Sequence, residues 1–466
     1  MSFDVDFLWY MAEWAIRIGA LLVVPQRRSP AATRAWLLLI FFLPVPGLLL
    51  FLTIGSPQFP AWRKARFRTL EPFFRQTAEA LGAHAADLGD RQPIAQLAST
   101  LGHMPAVDGN EVELIDDYDK VIDLLVADID GARRYVHLLV YIFADDAVGQ
   151  KVAAALGRAV SRGVEARVMF DPVGSHRWRK GTIELLRGHG VEVREALPWR
   201  FIRGRARRDM RNHRKLFVID GVIGYAGSQN LVAKDFRPGV VNHELVARTT
   251  GPIVAAMEAI VRGDWSLETG KPPASPVVIP APTGTAQAQL LPSGADYTQE
   301  GFETVLVWQV HQARERIVIV TPYFIPDEDL LGALHTATAR GVSVDIVLSG
   351  VVDQRLVNLS QRSYYDGLLT AGVKIHLYRG YLLHAKNVGI DGRLAVVGSS
   401  NVDLRSFQLN QEVSLLLYDE ATVAKVDAIQ RGYLEGSDLL KLEEWRRRPV
   451  LHRLGENIAR LFNSLL

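Results

Sequence analysis

One pattern occurs twice in this chain, and the repetition constrains both how it can fold and what it can do. His213, Lys215 and Asp220 are followed by Gly227, Ser228 and Asn230; His384, Lys386 and Asp391 are followed at the same spacings by Gly398, Ser399 and Asn401. A duplicated HxKxxxxD motif with a trailing GSxN is far more specific than a lone three-residue match. Residues two apart in a strand share a face, so His213 and Lys215 project together, as do His384 and Lys386. The apolar tract Leu216–Ile219 reads as a strand buried on both faces, and Asn387–Ile390 as a less pure version of it. Asp-Gly at 220–221 and 391–392 turns the chain, and a second apolar run (222–226 or 393–397) returns it to Gly-Ser-x-Asn. Each copy therefore offers an imidazole, an ammonium, a hydroxyl and a carboxamide at one end of a hairpin. That set suits a phosphate, with one group to attack or protonate and the others to hold anionic oxygens.

The echo extends beyond the motif. Ala132-Arg133-Arg134, Tyr141-Ile142-Phe143 and Asp145-Asp146 match Ala313-Arg314-Glu315, Tyr323-Phe324-Ile325 and Asp327-Glu328. Arg162-Gly163-Val164 matches Arg340-Gly341-Val342, and Gly190-Val191 matches Gly372-Val373, all at an offset of about 170–182 residues. This is a domain duplication. Strand and helix patterns alternate from about Val112, with strands at 111–115, 135–143 and 165–170 and helices at 118–127 and 148–161. The fold class is α/β, two duplicated domains each with a mixed sheet flanked by helices. The expected division is 1–57 membrane hairpin, 58–108 connector without identifiable chemistry, 109–270 first domain, 271–286 Pro-rich linker, 287–440 second domain and 441–466 C-terminal amphipathic helix.

At 466 residues the chain is long enough for two or three domains. A net charge of +2 gives no global nucleic-acid signature, and nucleic acid is not an expected partner. The absence of cysteine excludes disulfides and thiol catalysis. With no HExxH or comparable ligand cluster, neither a catalytic metal nor a cofactor is expected. Residues 7–24 are largely apolar but carry Glu13 and Arg17, i,i+4 partners on one helix face. Residues 36–54 hold no charge and as a helix span about 28 Å, with a kink expected at Pro44 and Pro46. Together they read as a two-helix transmembrane hairpin. Three basic residues in the connection (Arg27, Arg28, Arg34) against four after it (Arg63, Lys64, Arg66, Arg68) lean towards a cytoplasmic catalytic body.

Residues 200–215 carry Arg200, Arg203, Arg205, Arg207, Arg208, Arg211, Arg214 and Lys215, a candidate site for anionic membrane lipid. Glu244 and Glu412 each open an apolar run after a motif. A carboxylate on the second nitrogen of an imidazole fixes its tautomer and stabilises the imidazolium. Leu451, Leu454, Ile458, Leu461 and Leu465 recur at helical spacing, a stripe that usually packs on the body and that also suits a membrane surface.

At the two HKD motifs the sequence resembles the phospholipase D superfamily, whose paired motifs build one active site between two similar domains. The run Arg211-Asn212-His213-Arg214-Lys215, the stretch Pro322-Tyr323-Phe324-Ile325-Pro326-Asp327-Glu328 and Asp403-Leu404-Arg405-Ser406-Phe407 with Asn410-Gln411-Glu412 are similar to the bacterial cardiolipin synthases of that superfamily. The resemblance covers nearly the whole chain. It implies a multi-pass enzyme of the bacterial inner membrane that converts two phosphatidylglycerols to cardiolipin and glycerol through a phosphatidyl-histidine. By analogy His213 is the nucleophile and His384 the general acid. Lys215, Lys386, Asn230 and Asn401, helped by Ser228 and Ser399, hold the phosphoryl oxygens, and Glu244 and Glu412 orient the imidazoles. Asp220 and Asp391 complete the catalytic motif, although their place at the turn points to a structural part. A phospholipase D hydrolase would use the same residues with water as acceptor, and an HKD nuclease would use them on a nucleic-acid backbone. A non-catalytic scaffold would have lost a His or Lys from one copy, and neither is lost.

Overall fold

The structure is a computed structural model that describes residues 5–26, 30–55, 59–198, 210–297 and 300–461. The first half gives seven strands to the main sheet: β1 (Val107–Ile115), β2 (Tyr135–Val140), β3 (Glu165–Phe170), β4 (Glu192–Glu195), β5 (Leu216–Ile219), β6 (Ile223–Gly227) and β7 (Val246–Thr250). The second half repeats them as β8 (Ala286–Ser293), β9 (Arg316–Val320), β10 (Ser343–Ser349), β11 (Lys374–Tyr378), β12 (Asn387–Ile390), β13 (Leu394–Gly398) and β14 (Glu412–Leu417), then adds β15 (Ser437–Leu439). Strands β2, β3 and β4 run parallel, as do β9, β10 and β11. Parallel neighbours need a crossover, supplied by the helices Ala147–Ser161 and Glu328–Ala339. The motif hairpins β5–β6 and β12–β13 are antiparallel and pair through β5 and β12 with β2 and β9. The mixed α/β character and the duplication are as expected.

The two halves are not separate bodies. Among the described residues these fifteen strands form one sheet, in the order β15-β11-β10-β9-β12-β13-β14-β8-β1-β7-β6-β5-β2-β3-β4, and four two-residue strands form two small sheets beside it. The seam is the antiparallel pair β1–β8, Val107 opposite Ala288 and Asn110 opposite Ala286. One apolar layer crosses it, including Val107, Leu139, Leu216, Leu245, Ala288, Val318, Leu383 and Val413. The helix Ile253–Thr269 is buried along most of its length, because it lies between this layer and the helix Glu71–Leu81. Residues 271–284 hold no helix or strand, while Ala286, placed in the linker by composition, already begins β8.

The connector is part of this body. Its Arg63 is buried and ion-pairs with Glu268 at 2.7 Å and Asp296 at 3.2 Å, so it ties the two halves together. The helix Gln92–Gly102 packs on β8 and on the helix Gly301–Gln312, and β1 starts at Val107, two residues before the expected boundary.

The N-terminal expectation needs correction. The first apolar stretch is the helix Val5–Val23, with the Glu13–Arg17 pair made at 3.0 Å. The second is two helices, Pro30–Phe42 and Pro44–Ile54, folded against each other. Pro44 has no N–H to continue the first of them, and a Cβ on Gly47 would lie 2.9 Å from the Ile40 backbone, so only glycine permits that approach. At 13 and 11 residues each is about 16–20 Å long, short of a hydrocarbon core. Among the described residues no helix is long and apolar enough to cross a membrane. The expected multi-pass hairpin therefore lacks a crossing helix.

Both Asp-Gly turns adopt the left-handed backbone of a type I′ hairpin: φ is 54° and 70° at Asp220 and Gly221, and 52° and 64° at Asp391 and Gly392. Asp220 accepts from the N–H groups of Arg133, Arg134 and Tyr135 at 2.7–2.9 Å. Asp391 does the same for Arg314, Glu315 and Arg316 at 2.8–2.9 Å. Each aspartate clamps its motif hairpin to the entry of β2 or β9.

Candidate active site

Backbone pairing across the halves assembles the site. The N–H of His213 donates to the carbonyl of Gln411 at 2.8 Å, and Gln411 precedes Glu412. The N–H of His384 donates to the carbonyl of His243 at 2.8 Å, and His243 precedes Glu244. The approach of each motif to the other half is thus fixed one residue before a carboxylate. Glycine at the head of each GSxN allows the Glu-bearing strand to come close: a Cβ on Gly227 would lie 2.7 Å from the Val246 Cα, and one on Gly398 2.9 Å from the Ser414 Cα.

The result is an exchange. His213 Nδ1 meets Glu412 Oε2 at 3.0 Å, and His384 Nδ1 meets Glu244 Oε1 at 2.7 Å. Each imidazole is held by the carboxylate of the opposite half, and its Nε2 is left for chemistry. Glu412 also accepts from the hydroxyls of Ser399 (2.5 Å) and Ser406 (2.9 Å). Burial works to raise both carboxyls, but the neighbouring imidazoles and lysines outweigh it and hold both below the usual carboxylate range.

His213 and His384 line a single cavity of about 390 Å³ together with Asn230, Asn401, Tyr141, Tyr323 and Arg211, under a partly apolar rim that includes Phe236 and Val357. Burial lowers both imidazoles, His384 to about 4, against the pull of their glutamates. Both are therefore neutral at pH 7. Lys215 and Lys386 lie buried beside them, donating to the carbonyls of His213 (2.7 Å) and His384 (2.5 Å). Burial brings them down to about 7 and about 8. The amide oxygen of Asn230 accepts from the Ile142 N–H at 3.0 Å, which leaves its nitrogen as the donor end.

Three expectations are revised here. Ser228 and Ser399 are fully buried; the Ser228 hydroxyl bonds the Leu245 backbone and that of Ser399 holds Glu412, so both position the framework and neither is a phosphate ligand. Asp220 and Asp391 sit at the far end of their strands in the backbone clamps and leave the catalytic set. In the basic stretch, Arg200, Arg203, Arg205, Arg207 and Arg208 lie outside the described residues. Arg211 and Arg214 are buried, paired with Asp171 at 3.3 Å and Asp264 at 2.6 Å, and are not free for a lipid surface.

Sequence reasoning gave no role to several cavity residues. Tyr141 packs edge-on against His213 with ring centroids 4.8 Å apart, and the Lys215 Nζ lies 5.4 Å from the Tyr141 ring. Tyr323 donates to Asp353 at 2.6 Å and accepts from Gln354 at 2.9 Å. The signal was present, since Tyr141 and Tyr323 are matched by the duplication, but a tyrosine before an apolar pair is also an ordinary strand end.

Two neutral imidazoles, each braced by a carboxylate and facing one cavity beside two buried lysines, make a site suited to phosphoryl transfer. The chain belongs to the cardiolipin synthase family of phospholipase D-like enzymes. A family model described as "Cardiolipin synthase, PLD-like domain" matches residues 125–265 and 306–431, and one described as "Phospholipase D-nuclease N-terminal" matches 15–56. Cardiolipin synthase A from Escherichia coli O1:K1 / APEC and that from strain K12 / DH10B are each 34% identical to it, over 99% of both chains. Among solved structures it is similar to the phosphatidylserine synthase of Haemophilus influenzae Rd KW20, at 15% identity and TM-score 0.59, covering 81% of this chain and 99% of that one. It is also similar to the polyphosphate kinase of Porphyromonas gingivalis, at 13% identity and TM-score 0.51, covering 75% and 53%. At these identities the two structures speak to the fold alone.

Proposed function

We propose that this protein makes cardiolipin and glycerol from two molecules of phosphatidylglycerol. The observation that carries the reading is the pair of cross-braced imidazoles in one cavity, in a chain similar along its whole length to cardiolipin synthases. The Nε2 of one histidine attacks the phosphorus of the first lipid, and the bond to the headgroup glycerol breaks. The other histidine, which takes up a proton as the anionic lipid binds, gives it to the departing glycerol oxygen and is left neutral. It then takes the proton from a headgroup hydroxyl of the second phosphatidylglycerol as that oxygen attacks the phosphatidyl-histidine, which restores both imidazoles. Lys215, Lys386, Asn230 and Asn401 hold the phosphoryl oxygens, and Glu244 and Glu412 steady the imidazolium that forms.

Geometry makes the two histidines equivalent. Family likeness assigns attack to His213 and acid catalysis to His384. Burial lowers both imidazoles, so their electrostatics does not separate the two roles. Quenching the reaction with acid-free denaturant and mapping the phospho-adduct by mass spectrometry decides the order. An adduct on His213 supports the family assignment, and one on His384 reverses it.

The N-terminal helices form the membrane anchor. They leave Phe7, Leu8, Trp9, Met11, Leu22, Phe42, Leu49 and Leu52 exposed, a surface that water does not favour. The site faces the cytoplasmic leaflet of a bacterial inner membrane, and nucleic acid is not a substrate. In vesicles of labelled phosphatidylglycerol, cardiolipin and free glycerol are expected in equal amounts. Phosphatidic acid as the main product would make the chain a hydrolase.

A further inference from the structure

The helix Val450–Arg460 is mounted with its polar side inward. Glu456 is buried and ion-pairs with Arg362 at 2.9 Å and with Arg448, and Ala459 is the other buried residue. Leu451, Leu454, Ile458 and Leu461, spaced to share the opposite face, are 78%, 54%, 49% and 70% exposed. An amphipathic helix on a globular body buries its apolar stripe. This one does the reverse, and the buried carboxylate of Glu456, met by two guanidinium groups, locks it in that setting.

Its neighbour makes the orientation meaningful. The helix Arg355–Arg362 packs against it and carries Arg362. That helix also supplies Val357 to the wall of the catalytic cavity, and Gln354 at its start lines the same cavity. On its outer side Leu356 and Leu359 are exposed, as is Val352 just before it. Exposed apolar side chains thus run from the mouth of the cavity to the C-terminal helix. Exposed cations accompany them: Arg355, Arg447, Arg453 and Arg460.

We propose that this double helix is a membrane-docking platform, lying in the surface of an anionic bilayer so that the mouth of the cavity opens onto lipid. The occupant is a phospholipid surface and not a protein, because the patch combines protruding leucines with a fringe of arginines and continues into the rim of the cavity. Leucines reach the acyl boundary while arginines meet headgroup phosphates. The inference rests on reading that cavity as a lipid site, and it adds a second attachment, independent of the N-terminal helices, that sets the orientation of the catalytic body. The acceptor lipid then enters sideways from the leaflet, with little water.

The chain has no cysteine, so Ile458→Cys in the full-length protein carries a single environment-sensitive dye, with Glu443→Cys on an exposed neighbouring site as control. In phosphatidylglycerol vesicles containing brominated acyl chains, the dye at 458 is expected to be quenched and the dye at 443 to stay bright. A dye at 458 that remains in water overturns the proposal. Quenching in a protein that makes no cardiolipin would sink the proposed reaction and leave the docking intact. As a second measure, the L451D/L454D/I458D variant is expected to lower the ratio of turnover on vesicles to turnover on monomeric dihexanoyl phosphatidylglycerol by about tenfold or more. An unchanged ratio, with both rates kept or both lost, overturns it.

Discussion

Burial gives the catalytic side chains their reactivity, and it should be visible in the pH dependence. His384 stays neutral down to about pH 4, while Lys215 and Lys386 lose their protons near 7 and 8. The attacking imidazole must be unprotonated, its partner must take up a proton as the lipid binds, and the two lysines must be protonated to hold an anion. With His384 as nucleophile, kcat/KM for monomeric phosphatidylglycerol should fall below about pH 4–5, decline as the proton that His213 needs becomes scarcer, and fall more steeply above about pH 7–8, where the lysines lose theirs. An alkaline limb near the ordinary lysine value of about 10.4 would show that the ammonium groups are solvated when substrate arrives. The glutamates give a second test. Glu412→Gln should lower kcat on the order of 10²–10³ with little change in KM, since it removes the charge that steadies the His213 imidazolium and leaves the cavity lining intact. A KM effect of similar size would mean that Glu412 contributes to binding. That both glutamates serve the histidines was legible from their places after the motifs. That each serves the histidine of the other half was not, because the exchange is set by the backbone bonds of His213 to Gln411 and of His384 to His243, far apart in sequence.

Elements carried clear signatures where periodicity and turn chemistry agreed. Strand Leu216–Ile219 and strand Glu165–Phe170 lie where the sequence puts them, since Asp-Gly ends one and Arg-Gly precedes the other. Hydropathy alone reads the apolar stretch at 36–54 as one span, because it does not register that Pro44 and Gly47 fold it back on itself. The C-terminal stripe was visible as a pattern, but the direction it faces depends on Glu456 finding Arg362 and Arg448. The aspartates of the motif belong to this scale. Asp220→Ala leaves three N–H groups at the start of β2 without their acceptor, and Asp391→Ala does the same at β9. Each should destabilise the fold by about 2–3 kcal/mol, the value of hydrogen bonds to a charged group less partial rescue by water. Thermal unfolding would register the loss, while activity per folded molecule stays near normal. Loss of kcat without loss of stability would return these residues to the chemistry.

At the scale of the molecule the duplication reads in the sequence as two domains and a linker, and the structure makes one sheet of them. Residues 271–284 hold no helix or strand, yet the halves they connect rejoin at the β1–β8 seam. The halves also exchange carboxylates at the site and share Arg63, paired with Glu268 and Asp296. Cutting the chain between 275 and 276 breaks no strand, and it separates the halves covalently while the contacts that join them remain. Expressed alone, each half would expose β1 or β8 as a long unpaired edge and part of the apolar layer, a surface prone to aggregation. It would also hold one histidine without its glutamate. Residues 1–275 and 276–466 are therefore expected to be inactive and poorly soluble when made separately. Made together, they should copurify and recover a large part of the activity of the intact chain. The discriminating measurement is phosphatidyl-adduct formation by 1–275, which carries His213 and lacks Glu412. If that fragment alone forms the adduct at the rate of the intact protein, the exchange of glutamates between halves is not part of the mechanism.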